Sequence, residues 1–97
     1  MSLQLQIITP EQVIFDAEVD SVVVPGKKGR FQILTNHAPI VSTLETGKIE
    51  IISRTNQPIS LDKSLLELSP ADDKVLVLNV TGGILEFNNN KCIILAD

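Results

Sequence analysis

The sequence predicts an all-β fold, a sandwich of about ten strands in two mainly antiparallel sheets. Three observations predict it. First, 12 Ile, 9 Val and 6 Thr make 27 of 97 residues β-branched, against four Ala. Such side chains are stiff at χ1 and suit a pleated surface better than a helix. Second, turn formers recur along the whole chain, at Pro10, Pro25-Gly26, Asn36 to Pro39, Gly47, Asn56 to Pro58, Pro70, Gly82-Gly83 and Asn88 to Asn90. Short strands between such breaks are the pattern of a sandwich or barrel. Third, several segments alternate with period two, which gives a strand one buried and one wet face.

Taken in order, Leu3, Leu5 and Ile7 alternate with Gln4 and Gln6, so 3–9 reads as a half-buried strand ended by Pro10. The next strand, 12–18, carries Asp16 and Glu18 on one face, with Asp20 following in the same phase. Such a row reads as a solvated face. The apolar Val22–Val24 segment gives 21–24, and PGKKGR at 25–30 turns it into 30–34 as a hairpin with a basic tip. Asn36 to Pro39 separates 30–34 from 40–44. Gly47 then opens 47–53, where Ile49 and Ile51 oppose Lys48 and Glu50. Two short strands are expected at 59–61 and 65–68, with one helical turn at 62–68, capped by Asp62, competing with the second. The runs Val75–Leu78, within 75–80, and Cys92–Ala96, at 91–95, are continuously apolar and read as strands buried on both faces or in a crowded sandwich interior. Between them, 83–87 lies between the Gly82-Gly83 bend and the three-Asn turn. Pro10 and Lys91 read as protection of edge strands.

Composition narrows function. A chain of 97 residues, 43% apolar and 21% charged, is expected to form one globular domain over 1–97. Its net charge of −4 argues against a nucleic-acid partner. Aromatics are 3%, namely Phe15, Phe31 and Phe87, which argues against base-stacking platforms and sugar-binding shelves. One cysteine excludes an internal disulfide and fits a reducing compartment. With one Cys and one His, no standard zinc set exists. The opening residues carry no basic region followed by an apolar stretch, so a cytosolic protein without a signal peptide is expected.

Catalysis finds little to work with. His37 is the one histidine, and nothing in the spacing brings Thr35 or Ser42 to it as a nucleophile. It reads as a loop residue held by Pro39. The PGKKGR segment has the charge to hold an anion, through Lys27, Lys28 and Arg30, but lacks the Walker spacing and a following helix. As a basic tip on an acidic chain it suits orientation against a partner by charge. Cys92 reads as a small buried hydrophobe, and Gly82-Gly83 as a bend or bulge where sheets come close. The residues alone describe a non-catalytic sandwich that works through its surfaces.

Two segments are more specific. VVVPGKKGRFQILTNHAPIVSTLETGKIEI at 22–51 and TGGILEFNNNKCIILAD at 81–97 resemble the N-terminal β-sandwich domain of the epsilon subunit of F-type ATP synthases, called delta in mitochondria. The opening LQIITPEQVIFDAEVDSV fits the same family's first hairpin. The resemblance implies a ten-stranded sandwich and a rotor role. The domain would sit in the central stalk beside the gamma subunit, on the ring of c subunits, and help couple ion translocation to ATP synthesis. It implies no catalytic residue, no cofactor, and a peripheral position on the cytoplasmic face of the bacterial inner membrane.

Carried over by position, the resemblance implies ring-facing loops at Gly29 and Arg30 and at Asn36, His37, Ala38 and Pro39, with Phe31, Ile33 and Leu34 anchoring those loops in the core. It names no residues for the gamma contact. The chain departs from the family's pattern at Arg30, Gln32 and Thr35, where an acid, a glycine and a proline are usual. The acid-to-arginine change implies a less basic, even acidic, partner loop. The 56–73 segment is longer than usual and reads as a lid over a sandwich edge. The family normally continues past this point with two antiparallel helices; with the sequence ending at Asp97, that C-terminal helical hairpin is expected to be absent, and neither helix-based inhibition nor an ATP site is expected. A torque-bearing interface needs more than about 1,000 Å², so one sheet is expected to expose Ile, Val or Leu. The alternatives are a free-standing β-sandwich interaction module and a small enzyme centred on His37.

Overall fold

A computed structural model describes residues 2–53, 67–68 and 75–97. Among the described residues every regular element is a β-strand. There are eight: β1 (Leu3–Ile8), β2 (Val13–Val19), β3 (Ser21–Gly26), β4 (Gly29–Leu34), β5 (Ile40–Ile52), β6 (Glu67–Leu68), β7 (Val75–Asn88) and β8 (Lys91–Ala96). Their hydrogen bonds run continuously in the order β2-β1-β8-β7-β5-β3-β4, with β6 pairing β7 off this path. All pairings are antiparallel except β1 with β8.

Laid flat, seven strands would span about 29 Å at ~4.8 Å per spacing and be only about 10 Å thick. The molecule instead measures 28 × 27 × 25 Å. The sheet therefore folds over on itself, and one core fills the interior. Leu3, Leu5 and Ile7 of β1, Phe15 and Val19 of β2, Val22 and Val24 of β3, and Ile33 of β4 join it. So do Ile49 and Ile51 of β5, Leu85 and Phe87 of β7, and Cys92 and Ile94 of β8.

Among the described residues, the expectation of ten strands in two sheets is corrected to eight strands in one hydrogen-bonded sheet, seven of them on one path. Gly47 and Gly82-Gly83 do not end strands. They bend two long ones. β5 and β7 stay in one register from Ile40↔Phe87 through Glu45↔Gly82 and Gly47↔Val80 to Ile52↔Val75. At the bend the inward positions change phase, from Leu44 to Ile49 and Ile51 in β5, and from Leu78 and Val80 to Leu85 and Phe87 in β7. Each long strand thus gives the core one face before the bend and its other face after it. That phase break is what makes 40–44 and 47–53, or 75–80 and 83–87, look like separate strands. Only Gly fits at residue 83, where φ is +151° and a Cβ would run into the Leu95 carbonyl.

Two further expectations change. Pro10 and Lys91 do not guard edges, because β1 and β8 are interior strands and the edges are β2 and β4. The edges instead carry exposed charge, Asp16 and Glu18 on β2 and Arg30 on β4. Cys92–Ala96 is not buried on both faces, since Leu95 is 52% exposed between buried Ile94 and Ala96. A run that is apolar throughout cannot reveal which of its faces is wet. The strand expected at 59–61 and the lid over 56–73, apart from Glu67 and Leu68, lie outside the described residues. So do residues 62–66 of the helical turn, while 67–68 is a strand paired to Leu76 and Val77.

Candidate functional site

The residues expected at the partner surface fall at two stations, at opposite ends of β4. The first is the β3–β4 hairpin, where Gly26↔Gly29 flanks the exposed pair Lys27-Lys28. Gly29 turns the chain with φ +131°. Pro25 has no N–H to give the neighbouring strand, and the β3–β5 ladder jumps there from Val23↔Glu50 to Gly26↔Leu44. Arg30 bridges this break. Its Nη1 donates to the Lys48 carbonyl at 2.7 Å, and its Nη2 meets Glu50 Oε1 at 2.8 Å. The backbone N–H of Lys27 donates to the Thr43 carbonyl at 3.0 Å, tying the tip to the start of β5. Between tip and β5 lies an open cleft lined by Lys27, Lys28, Phe31, Val41, Ser42 and Thr43 among others.

The second station is the connection 35–39. Six residue steps at ~3.3 Å put its start about 20 Å from Gly29. Asn36 takes a left-handed φ of +66°, and its N–H donates to Asn90 Oδ1 at 2.6 Å. Asn90 Nδ2 returns a bond to Asn36 Oδ1 at 3.0 Å. Asn89 and Asn90, with φ of 51° and 59°, form the two-residue β7–β8 turn that such values favour. The Asn90 carbonyl also accepts from the Gln4 amide at 2.9 Å. His37 packs edge-on against the buried Phe87 ring, centroids 5.9 Å apart, and its Nδ1 lies 2.7 Å from the Ala38 carbonyl. Asn36, Ala38 and Pro39 stay exposed. The two expected ring-facing loops therefore lie at opposite ends of β4. Leu34, expected in the core, is 53% exposed at the end of β4, while Ile33 is fully buried.

A third feature was not legible as a site. On the outward face, Thr43, Ile84, Leu95, Ile8 and Val13 stand in one row across five strands, each registered with the next. Ile84 and Leu95 are 50% and 52% exposed, and Val41 beside them is 70% exposed. The row's signal in the sequence is weak, because its members are single residues from five segments. A shallow depression of about 350 Å³ runs along it between Ile8, Pro10, Ile84 and Leu95, reaching Asp97. Glu86 and Asp16 stand in the neighbouring row, exposed, with Ile93 and Gln6 between them.

Cys92 is the small buried hydrophobe expected. It is fully buried, and burial pushes its thiol up to about 12 from the ordinary 9.0. Among the described residues no three of His, Cys, Asp and Glu come together to hold a metal ion.

Residues 2–77 match the family described as ATP synthase, Delta/Epsilon chain, beta-sandwich domain. The ATP synthase epsilon chain of Leptospira interrogans serovar copenhageni is 38% identical over 95 residues, 98% of this chain and 61% of its own length. That of Chlorobaculum tepidum is 32% identical over 93 residues, 96% of this chain and 86% of its own. Among solved structures, a chain of the Euglena gracilis mitochondrial ATP synthase superposes with a TM-score of 0.73 at 14% identity. It is covered over 50% of its length, and this chain over 98%. A chain of the Tetrahymena thermophila central stalk and c-ring gives 0.65 at 15% identity, covering 99% of this chain and 63% of that one. These two show a shared fold. With the family matched over most of the chain and the strands, bends and turns that the resemblance rests on in place, this chain belongs to the ATP synthase delta/epsilon family, as its β-sandwich domain.

Proposed function

We propose that this chain is a non-catalytic subunit of the central stalk of an F-type ATP synthase, joining the gamma subunit to the c ring so that ion movement drives ATP synthesis. On this reading it sits peripherally at the cytoplasmic face of a bacterial inner membrane. The observation that carries the reading beyond family membership is the outward apolar row Thr43–Ile84–Leu95–Ile8–Val13. A rotor subunit has to be held firmly, and a contiguous apolar face bordered by charge is how a surface marks such a contact. The gamma subunit is its proposed occupant. Gly29 and Arg30 at the first station and Asn36, His37, Ala38 and Pro39 at the second are proposed to meet the ring. Arg30 enters that contact with its charge already met by Glu50.

The test is size-exclusion chromatography with the cognate gamma subunit. Co-elution as a one-to-one complex is expected, lost in Ile84→Lys/Leu95→Lys with the domain still folded by circular dichroism. Separate elution of two folded proteins would overturn the stalk reading and favour a free-standing interaction module. Co-elution untouched by the double substitution would move the contact off this face.

A further inference from the structure

We propose that the cleft between the β3–β4 tip and β5 docks a carboxylate-bearing segment of a partner protein, with the Lys27 and Lys28 ammonium groups as its charge and Val41 as its apolar footing. The inference deepens the proposed partner contact at the Gly29–Arg30 tip, whose residues line this cleft, and rests on that part of the reading; the gamma-facing row does not enter it.

Charge sets up the site. The chain is acidic overall, at −4, yet three of its eight basic residues fall within Lys27–Arg30. Arg30 is engaged by Glu50. Lys27 and Lys28 are exposed and make no ion pair among the described residues. No acidic residue lines the cleft. At physiological salt, charges beyond about 8 Å are screened, so a short acidic segment meets the lysines at the tip, and its apolar side chain must sit at Val41 beside the exposed Glu86 paired with it.

Shape and rigidity follow from the backbone. The Lys27 N–H bond to Thr43 and the Arg30 bonds to Lys48 and Glu50 hold the tip at a fixed angle to β5. At Gly26 a Cβ would lie 2.7 Å from the Phe31 ring, so the turn is packed closely against the aromatic beneath it. A preformed cleft spares a ligand the cost of ordering it. Arg30 is therefore a positioning residue, while the two lysines remain mobile point charges that adapt to a carboxylate.

Three chemistries compete for such a tip. A phosphate cradle uses backbone N–H groups, and the Lys27 N–H is already given to Thr43. An anionic bilayer or a nucleic acid reads many bases over a wide area, and the tip offers only Lys27 and Lys28 without an ion pair among the described residues. An acidic polypeptide segment fits best. Its carboxylates meet the lysines, an apolar side chain covers Val41, which is 70% exposed, and Ser42 and Thr43 border the cleft.

The experiment titrates the ¹⁵N-labelled chain with the blocked peptide Glu-Glu-Leu-Glu-Glu and follows the backbone amides. Shifts confined to Lys27–Phe31 and Val41–Thr43 are expected. Binding should weaken at least about tenfold in Lys27→Glu/Lys28→Glu, and less in Val41→Asp, since charge sets the encounter. Absence of shifts, shifts elsewhere, or shifts that survive the double reversal would overturn the proposal. So would inorganic phosphate binding as tightly at the same amides, or phosphatidylglycerol vesicles that bind through the lysines while the peptide does not. The gamma-subunit chromatography above is unaffected by any of these outcomes, so each proposal can fail alone.

Discussion

From Glu50 to Ile52, β5 has β7 on one side and β3 on the other, and Ile49 and Ile51 are fully buried. From Ile40 to Thr46 it keeps β7 but meets β3 only at Gly26, and Val41 is 70% exposed. The residue types of the two halves are alike. What differs is the number of neighbours. A strand with partners on both edges and a layer above it becomes core, while the same strand beyond the break at Pro25 is left with free space. Both proposed contacts border that freed half: the basic cleft touches Val41 and Thr43, and the apolar row begins at Thr43.

The sharpest way to break the comparison is a matched pair of truncations. Ile51→Ala removes buried methyl groups and is expected to cost about 2–5 kcal/mol. Val41→Ala, a comparable change on an exposed site, is expected to stay within about 0.5 kcal/mol. Urea unfolding measures both, and equal losses would show that the first half of β5 is as structural as the second. A smaller effect tests the second station. Asn90→Gly keeps the positive φ but deletes both bonds to Asn36, and is expected to cost about 1–2 kcal/mol. Hydrogen exchange should then quicken at the Asn36 amide while the Ile49 and Ile51 amides hold.

The smallest effect near neutral pH comes from Cys92. Its folded-state thiol titrates near 12 against an ordinary 9.0, so above pH 9 the unfolded chain loses this proton while the folded chain keeps it. The contribution is fully present below pH 9 and is lost progressively as pH rises toward 12. Urea midpoints of the wild type and Cys92→Val should run parallel up to pH 9 and diverge above it, the wild type falling faster. Parallel curves through pH 10.5 would place the thiol in contact with solvent.

Much of this was legible in the sequence. The alternation at Leu3–Ile7 and Ile49–Ile51, the basic hairpin at 25–30 and the buried Cys92 all follow from local pattern, and the structure contains each of them. The candidate site was legible in part. Gly29 and Arg30 are exposed at one hairpin, and Asn36, Ala38 and Pro39 at another connection. Nothing local says that β4 holds the two stations apart, that Glu50 meets the Arg30 charge, or that Phe87 carries the His37 ring. Each of those partners is 20 or more residues distant in sequence, and only strand pairing brings them close.

The sequence by itself determined that the chain is built of strands, where it turns, and that its tip at Lys27-Lys28 is basic, because side-chain branching, backbone freedom and charge are properties of single residues and their near neighbours. The tertiary structure decided that glycines at 47 and 82–83 bend strands rather than end them, which edges of the sheet are free, and that Thr43, Ile84, Leu95, Ile8 and Val13 form one outward row. Those outcomes depend on register between distant segments, and register is set by the packing of the whole core rather than by any segment alone.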